Sequence, residues 1–269
     1  MASDHRSGPR TTGRAAIPLE IASALRRRLR RAASPSSVPG SLPVLFFGDL
    51  PNAWIATVGL NPSRQEYLDR SGRELMGSSR RFETLSSLGA LTRNSMTDGQ
   101  ADRAIDTMRA YFQPGKPVYS WFGHLNRVVA SLGAEYGTGR AAHLDLVQEA
   151  TDPTWSLLAQ HRPEEASALM SADLPFLRWE IETYPLKLVL CNGRSVFDHV
   201  VKVLGAAVVE TGTAKRATWW IAKAIAGGRA VGVGGWNMPL VRPTGLDSTA
   251  EAVLGSTLGT AARSAGVEF

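Results

Sequence analysis

The chain has 269 residues, is 43% hydrophobic and 20% charged, and carries a net charge of +6 with a single cysteine, Cys191. No apolar run is long enough to span a bilayer, and one thiol excludes an internal disulfide framework and any four-cysteine zinc or iron–sulfur centre. A globular protein in a reducing, cytoplasmic setting is expected, and without an apolar N-terminal core no secretory signal is expected.

All the excess charge lies in residues 1–40, where eight arginines face only Asp4 and Glu20; the rest of the chain has 22 basic and 22 acidic residues. The run Arg26-Arg27-Arg28-Leu29-Arg30-Arg31 suits a phosphate backbone or an acidic membrane surface, with a solvated basic tail as the plain alternative. Residues 1–16 have the composition of a disordered segment. The spacing of Ile17, Ile21, Leu25 and Leu29 predicts a basic amphipathic helix, and "SPSSVPGS" (34–41) reads as a linker. Residues 1–40 are therefore expected to form an arm, and residues 41–269 one domain.

Beyond the linker the pattern alternates. Strands are predicted at Val44–Phe47, Trp54–Val58, His143–Val147, Leu186–Cys191, Thr218–Ala222 and Arg229–Val233. Helices are predicted at 80–89, 99–112, 121–132, 154–160, 163–183, 194–204 and 248–264, the last opening on a capping-box pattern. Strands separated by helices point to an α/β fold, a three-layer α/β/α sandwich with a mostly parallel central sheet. Ligands of such sheets bind beyond the carboxyl ends of the strands. That singles out Gly59–Ser63, Asp145–Thr151, Asn192–Ser195 and Gly234–Gly245.

The turn Gly59-Leu60-Asn61-Pro62-Ser63 aims Asn61 out of a strand end as a fixed amide, able to orient a water molecule but not to act as a strong base. An ordinary Asn-Pro turn is the plain alternative. In the loop that follows, Glu66 and Asp69 are each placed to assist a water as general base, or to pair with Arg64, Arg70, Arg73, Arg80 and Arg81. Cys191-Asn192-Gly193-Arg194-Ser195 opens a helix and offers Ser195 to a phosphate, or is a simple turn. Gly234-Gly235 would let a partner approach the backbone closely, or mark a plain turn. His124 and His143 are too scattered for a metal site, and no metal or cofactor is expected.

Together, "VGLNPS" (58–63), "RRFETL" (80–85), "HLDLVQEATDP" (143–153) and "WNMPLVRP" (236–243) resemble, in order and spacing, the motifs of the uracil-DNA glycosylase superfamily. The first is closest to its mismatch-specific and thymine-DNA branch. The resemblance spans roughly residues 42–265 and implies a monomeric, monofunctional enzyme that takes a base out of double-stranded DNA and hydrolyses its N-glycosidic bond. It implies that Asn61 positions the water and Asn237 steadies the leaving base. Leu60, Ser63, Phe82 and Asp145 would hold the base, with Phe82 stacking on its face. Ser195, Leu240 and Arg242 would hold DNA, Leu240 as a wedge and Arg242 on a phosphate. Two departures matter. Ser63 stands where the uracil-releasing members carry a tyrosine that bars a C5 substituent, so the pocket is open there. Asp145 stands where those members carry an asparagine: an ionised carboxylate accepts from the cytosine amine, a protonated one can donate to N3, and either is expected to disfavour uracil. The expected target is a C5-modified, hydroxymethylated or glucosylated cytosine of phage DNA, whose removal leaves abasic sites as an anti-phage defence. Competing readings are a uracil or mismatch repair enzyme, a non-catalytic DNA binder of the same fold, and a small-molecule α/β enzyme. Asp145 as a cap of the following turn remains the plain alternative.

Overall fold

A computed structural model describes residues 16–240 and 246–269. The described residues form a six-stranded mixed sheet and eight α-helices. The first strand, β1 (Ile55–Gly59), and the second, β2 (Ala141–Asp145), are buried along their whole length, as is β3 (Leu188–Cys191). They read as short continuous apolar runs because both faces of the sheet are covered. With β6 (Arg229–Trp236) they form a parallel block in the order β2-β1-β3-β6. The sheet then continues through an antiparallel hairpin, β5 (Ala217–Ala226) and β4 (Ala207–Ala214).

Register fixes where the site forms. Gly59 pairs with Asp145, Val58 with Cys191, and Cys191 with Gly235. The parallel strands therefore end side by side, and the loops after them open on one edge. Gly235 serves close packing inside the protein, in place of the expected approach of a partner: a Cβ there would come within 2.5 Å of the Phe197 ring on the helix α7 (Arg194–Leu204).

Three expectations need correction. Val44–Phe47 is wholly buried yet is not a strand of the sheet. It runs beside β2 with one antiparallel bridge, Phe47 to His143, before Gly48 turns the chain at φ 92°. Strand β4 had no counterpart in the sequence pattern, because most of its residues are exposed and its run Glu210-Thr211-Gly212 lacks an apolar face.

The N-terminal segment is also more than an arm. In α1 (Leu19–Leu29), Leu25 and Leu29 are fully buried in the main core. Arg26 makes two 2.7 Å bonds to Asp102, Arg30 binds Asp98 at 2.6 Å, and Arg28 and Arg31 converge on Asp173. The "linker" is packed as well. Ser34 and Ser36 donate to Glu165, Ser37 donates to Glu149, and Val38 N–H binds the Ala150 carbonyl. Its small hydroxyls satisfy carboxylates that would otherwise be left short of partners.

Candidate active site

Beyond the ends of β1, β2 and β3 lies a cavity of about 310 Å³, near the lower end for small-ligand sites. Leu60, Asn61, Ser63 and Asp145 all line it, so four of the residues singled out from sequence share one pocket. Its apolar wall comes from Phe47, Tyr119, Trp121 and Phe122.

Asn61 is half-buried and held by its amide nitrogen, which donates to the carbonyls of Pro62 (3.1 Å) and Glu149 (3.2 Å) and to Thr151 Oγ1 (3.3 Å). Three oxygens around Nδ2 fix which way the amide faces and leave Oδ1 as the acceptor. The segment receiving these bonds is itself anchored. Glu149 and Arg93, 3% and 4% exposed, form a bidentate pair at 2.6 and 2.9 Å, and Arg93 Nε also donates to the Ser41 carbonyl.

Asp145 is 3% exposed, and its Oδ2 is buried with no hydrogen-bond partner. Oδ1 lies 3.4 Å from His143 Nε2. Burial holds this carboxyl above the usual carboxylate range, against the pull of His143. The His143 Nδ1 contacts Thr57 Oγ1 at 2.7 Å, and Thr57 contacts the Tyr136 hydroxyl at 2.5 Å. Tyr136 and Thr57 can donate in turn to Nδ1, the tautomer in which His143 presents Nε2–H to Oδ1. Gly59 makes room: a Cβ there would sit 2.5 Å from Oδ1. Asp145 therefore faces the cavity and does not cap the next turn.

Glu66 and Asp69 separate cleanly. Asp69 bonds Ser71 and Arg73 within its own turn. Glu66 lines the cavity, is 2% exposed, and accepts from the Tyr111 hydroxyl at 2.8 Å. Burial pushes its carboxyl up to about 7, although the Tyr111 bond and Arg81, whose Nε is 4.0 Å away, both favour ionisation.

Several of the expected residues lie elsewhere. Phe82 is buried one layer behind the cavity wall, stacked on Tyr111 (centroids 5.0 Å apart, planes at 21°) and edge-on to Phe47. Of the rings packed on Phe82, the one that reaches the cavity is Phe47, which also packs on Tyr111, Phe122 and His143 at about 5 Å. Asn237 is exposed and brackets Thr218 on β5, its N–H donating to the Thr218 carbonyl and its Oδ1 accepting from the Thr218 N–H, away from the cavity. The amide at this end of the pocket is Asn192, whose Oδ1 accepts from Trp236 Nε1 and from Leu240 N–H at 2.7 Å. Leu240 is fully buried and is no exposed wedge. Ser195 is exposed on the first turn of α7, and Arg242 lies outside the described residues. Asn192 had a sequence signal, its place just after a buried strand, and Phe47 stood at the end of a predicted one; Tyr119 had none.

Among the described residues no helix is long and apolar enough to cross a membrane, and no group of three or more His, Cys, Asp or Glu side chains is placed to hold a metal. No family model and no curated protein matches the chain.

Proposed function

We propose that this chain is a monofunctional DNA glycosylase, built on the three-layer plan of the uracil-DNA glycosylase superfamily, that releases a flipped-out, C5-modified cytosine and leaves an abasic site. The observation carrying this reading is the buried Asp145 carboxyl with a free Oδ2 inside an aromatic-walled cavity that also holds the fixed amide of Asn61. A neutral acid alone pairs with either pyrimidine edge, so its orientation decides. Nε2–H of His143 against Oδ1 leaves the acid proton on Oδ2. Oδ2–H then donates to cytosine N3 and Oδ1 accepts from the 4-amine, whereas uracil would set N3–H against Oδ2–H. Mispairing buried polar groups in this way disfavours uracil by roughly 10⁴-fold. Ser63 leaves the C5 side open, and the aromatic wall suits a planar base. The Asn61 carbonyl holds the attacking water.

The test is to incubate the protein with DNA containing cytosine, 5-hydroxymethylcytosine, glucosylated 5-hydroxymethylcytosine or uracil, weigh the free bases by mass spectrometry, and cleave abasic sites with alkali. Release of the modified cytosine, abolished by Asn61→Ala and redirected toward uracil by Asp145→Asn, is the expected result. Release of uracil alone would move the protein to repair. DNA binding without any abasic site would make it a non-catalytic binder.

A further inference from the structure

The proposed hydrolysis lacks one part so far, an acceptor for the proton of the attacking water. An amide cannot take it. Resting on the glycosylase reading, we infer that Glu66 is the general base of this site, drawing the proton from a water that Asn61 Oδ1 orients.

The residue is set up for that task and for little else. It follows Asn61 by five positions, on the short 3₁₀ turn Arg64–Glu66 that Ser63 caps through its hydroxyl. The backbone thus carries both groups to the wall of the same cavity. A structural carboxylate so deeply buried would be expected to sit in a bidentate pair, as Glu149 does with Arg93. Glu66 instead has one neutral hydroxyl donor, Tyr111, and one guanidinium held off at 4.0 Å. That guanidinium is positioned by other contacts, its Nη1 on the Gln65 carbonyl and its Cζ 5.6 Å from the centroid of the Tyr119 ring. The charged or titratable groups facing Glu66 are therefore Tyr111, Tyr67, Arg81 and, across the cavity, Asp145, whose charge raises Glu66 further. Burial pushes the carboxyl up to about 7, where a general base works best near neutral pH. The Tyr111 hydroxyl is pushed up, out of the neutral range, so it stays a donor and does not compete as the base.

The step balances. One O–H bond of water passes its proton to Glu66 as the oxygen bonds C1′ of the sugar. The C1′–N1 bond breaks, its electron pair goes to the base, and Asp145 supplies the proton that leaves the base neutral at N3. Products are a free base and an abasic sugar, with Glu66 protonated and Asp145 ionised until solvent resets them.

The test is single-turnover release from a duplex containing 5-hydroxymethylcytosine, and from one with its glucosylated form, between pH 5 and 9. The proposal expects the wild-type rate to rise with pH toward about 7, the limb that Glu66 sets, and to fall again at the pH where Asp145 loses the proton it must donate. Glu66→Gln keeps an acceptor for Tyr111, so the fold and the affinity for DNA should be unchanged. Its rate should fall by about 10²- to 10⁴-fold, the usual worth of a general base, and lose its rising limb. Added formate should restore part of the rate of Glu66→Ala. A Glu66→Gln rate within threefold of wild type, with the same limb, overturns the assignment while leaving the glycosylase reading intact. A wild-type protein that releases no base from either duplex at any pH overturns the glycosylase reading and the role of Glu66 with it.

Discussion

Replacing Gly59 by alanine tests the geometry of the pocket without reference to any substrate. A Cβ at this position would stand 2.5 Å from Asp145 Oδ1 and 3.1 Å from two atoms of the His143 ring. Comfortable separations are about 3.5 Å, so the carboxylate must move by roughly 1 Å, and the imidazole blocks one way out. Turning the side chain about 30° off its rotamer costs about 0.5–1.5 kcal/mol, and crowding a filled interior brings the total to about 1–3 kcal/mol. Urea unfolding measures that loss. The decisive quantity is its coupling to Asp145→Ala. With the carboxylate gone the new methyl has space, so the double variant should recover about 1–2 kcal/mol relative to additivity. On the proposed glycosylase reading, base release by Gly59→Ala should fall more steeply than stability, by about 10²-fold, because displacing a reacting group by 1 Å is felt in the rate. Additive stabilities, with no coupling between positions 59 and 145, would refute the argument that this glycine exists to seat the carboxyl.

Arg93→Met should cost about 3–5 kcal/mol in urea unfolding by stranding Glu149 in the interior, and Arg93→Met/Glu149→Leu should regain most of it; a single-variant loss below about 1 kcal/mol would mean that the pair does not anchor the segment behind Asn61. Leu240→Ala should cost about 2–5 kcal/mol as a core cavity; unchanged stability with a selective loss of base release would restore Leu240 to the role of wedge. For Glu66 the sign runs opposite to that of a salt-bridged carboxylate: its folded value of about 7 lies above the ordinary 4.5, so the unfolded chain sheds this proton first as pH rises. Its contribution to stability is therefore full below about 4.5, declines up to about 7 and is flat beyond, a loss on the order of 3 kcal/mol. Glu66→Gln should remove that decline from the stability profile, and an unchanged profile would show that Glu66 titrates normally.

How much of this was legible in the sequence depended on whether the signal was local. The motif around Asn61 and the strand end at Asp145 are backbone features, each fixed within a few residues, and the parallel register then brings them together. The same holds for Asn192. Phe82 failed for the opposite reason: which of several aromatic rings reaches a cavity depends on packing among distant segments, and Phe47 lies in front of it. The arginines of α1 looked like a free basic surface because their partners, Asp98, Asp102 and Asp173, are remote in sequence. Charge runs report composition, whereas pairing is decided by the fold. Strand β4 is exposed over most of its length, and an edge strand with little to bury leaves no apolar pattern to read.

Two carboxyls in one pocket can divide the work of acid and base only if their surroundings push them apart. Burial raises both. Their partners differ, however. Glu66 has a hydroxyl donor and a full guanidinium charge nearby, whereas Asp145 has an imidazole at 3.4 Å and one oxygen with nothing at all. In the empty cavity the Asp145 carboxylate is one of the charges that push Glu66 up, and the order inverts when a cytosine presents N3, which accepts from the neutral acid alone and so keeps Asp145 protonated while Glu66 ionises. On the proposed glycosylase reading, a base filling the cavity would expel water and sharpen this division, leaving a carboxylate where the water must lose a proton and an acid where the leaving base must gain one.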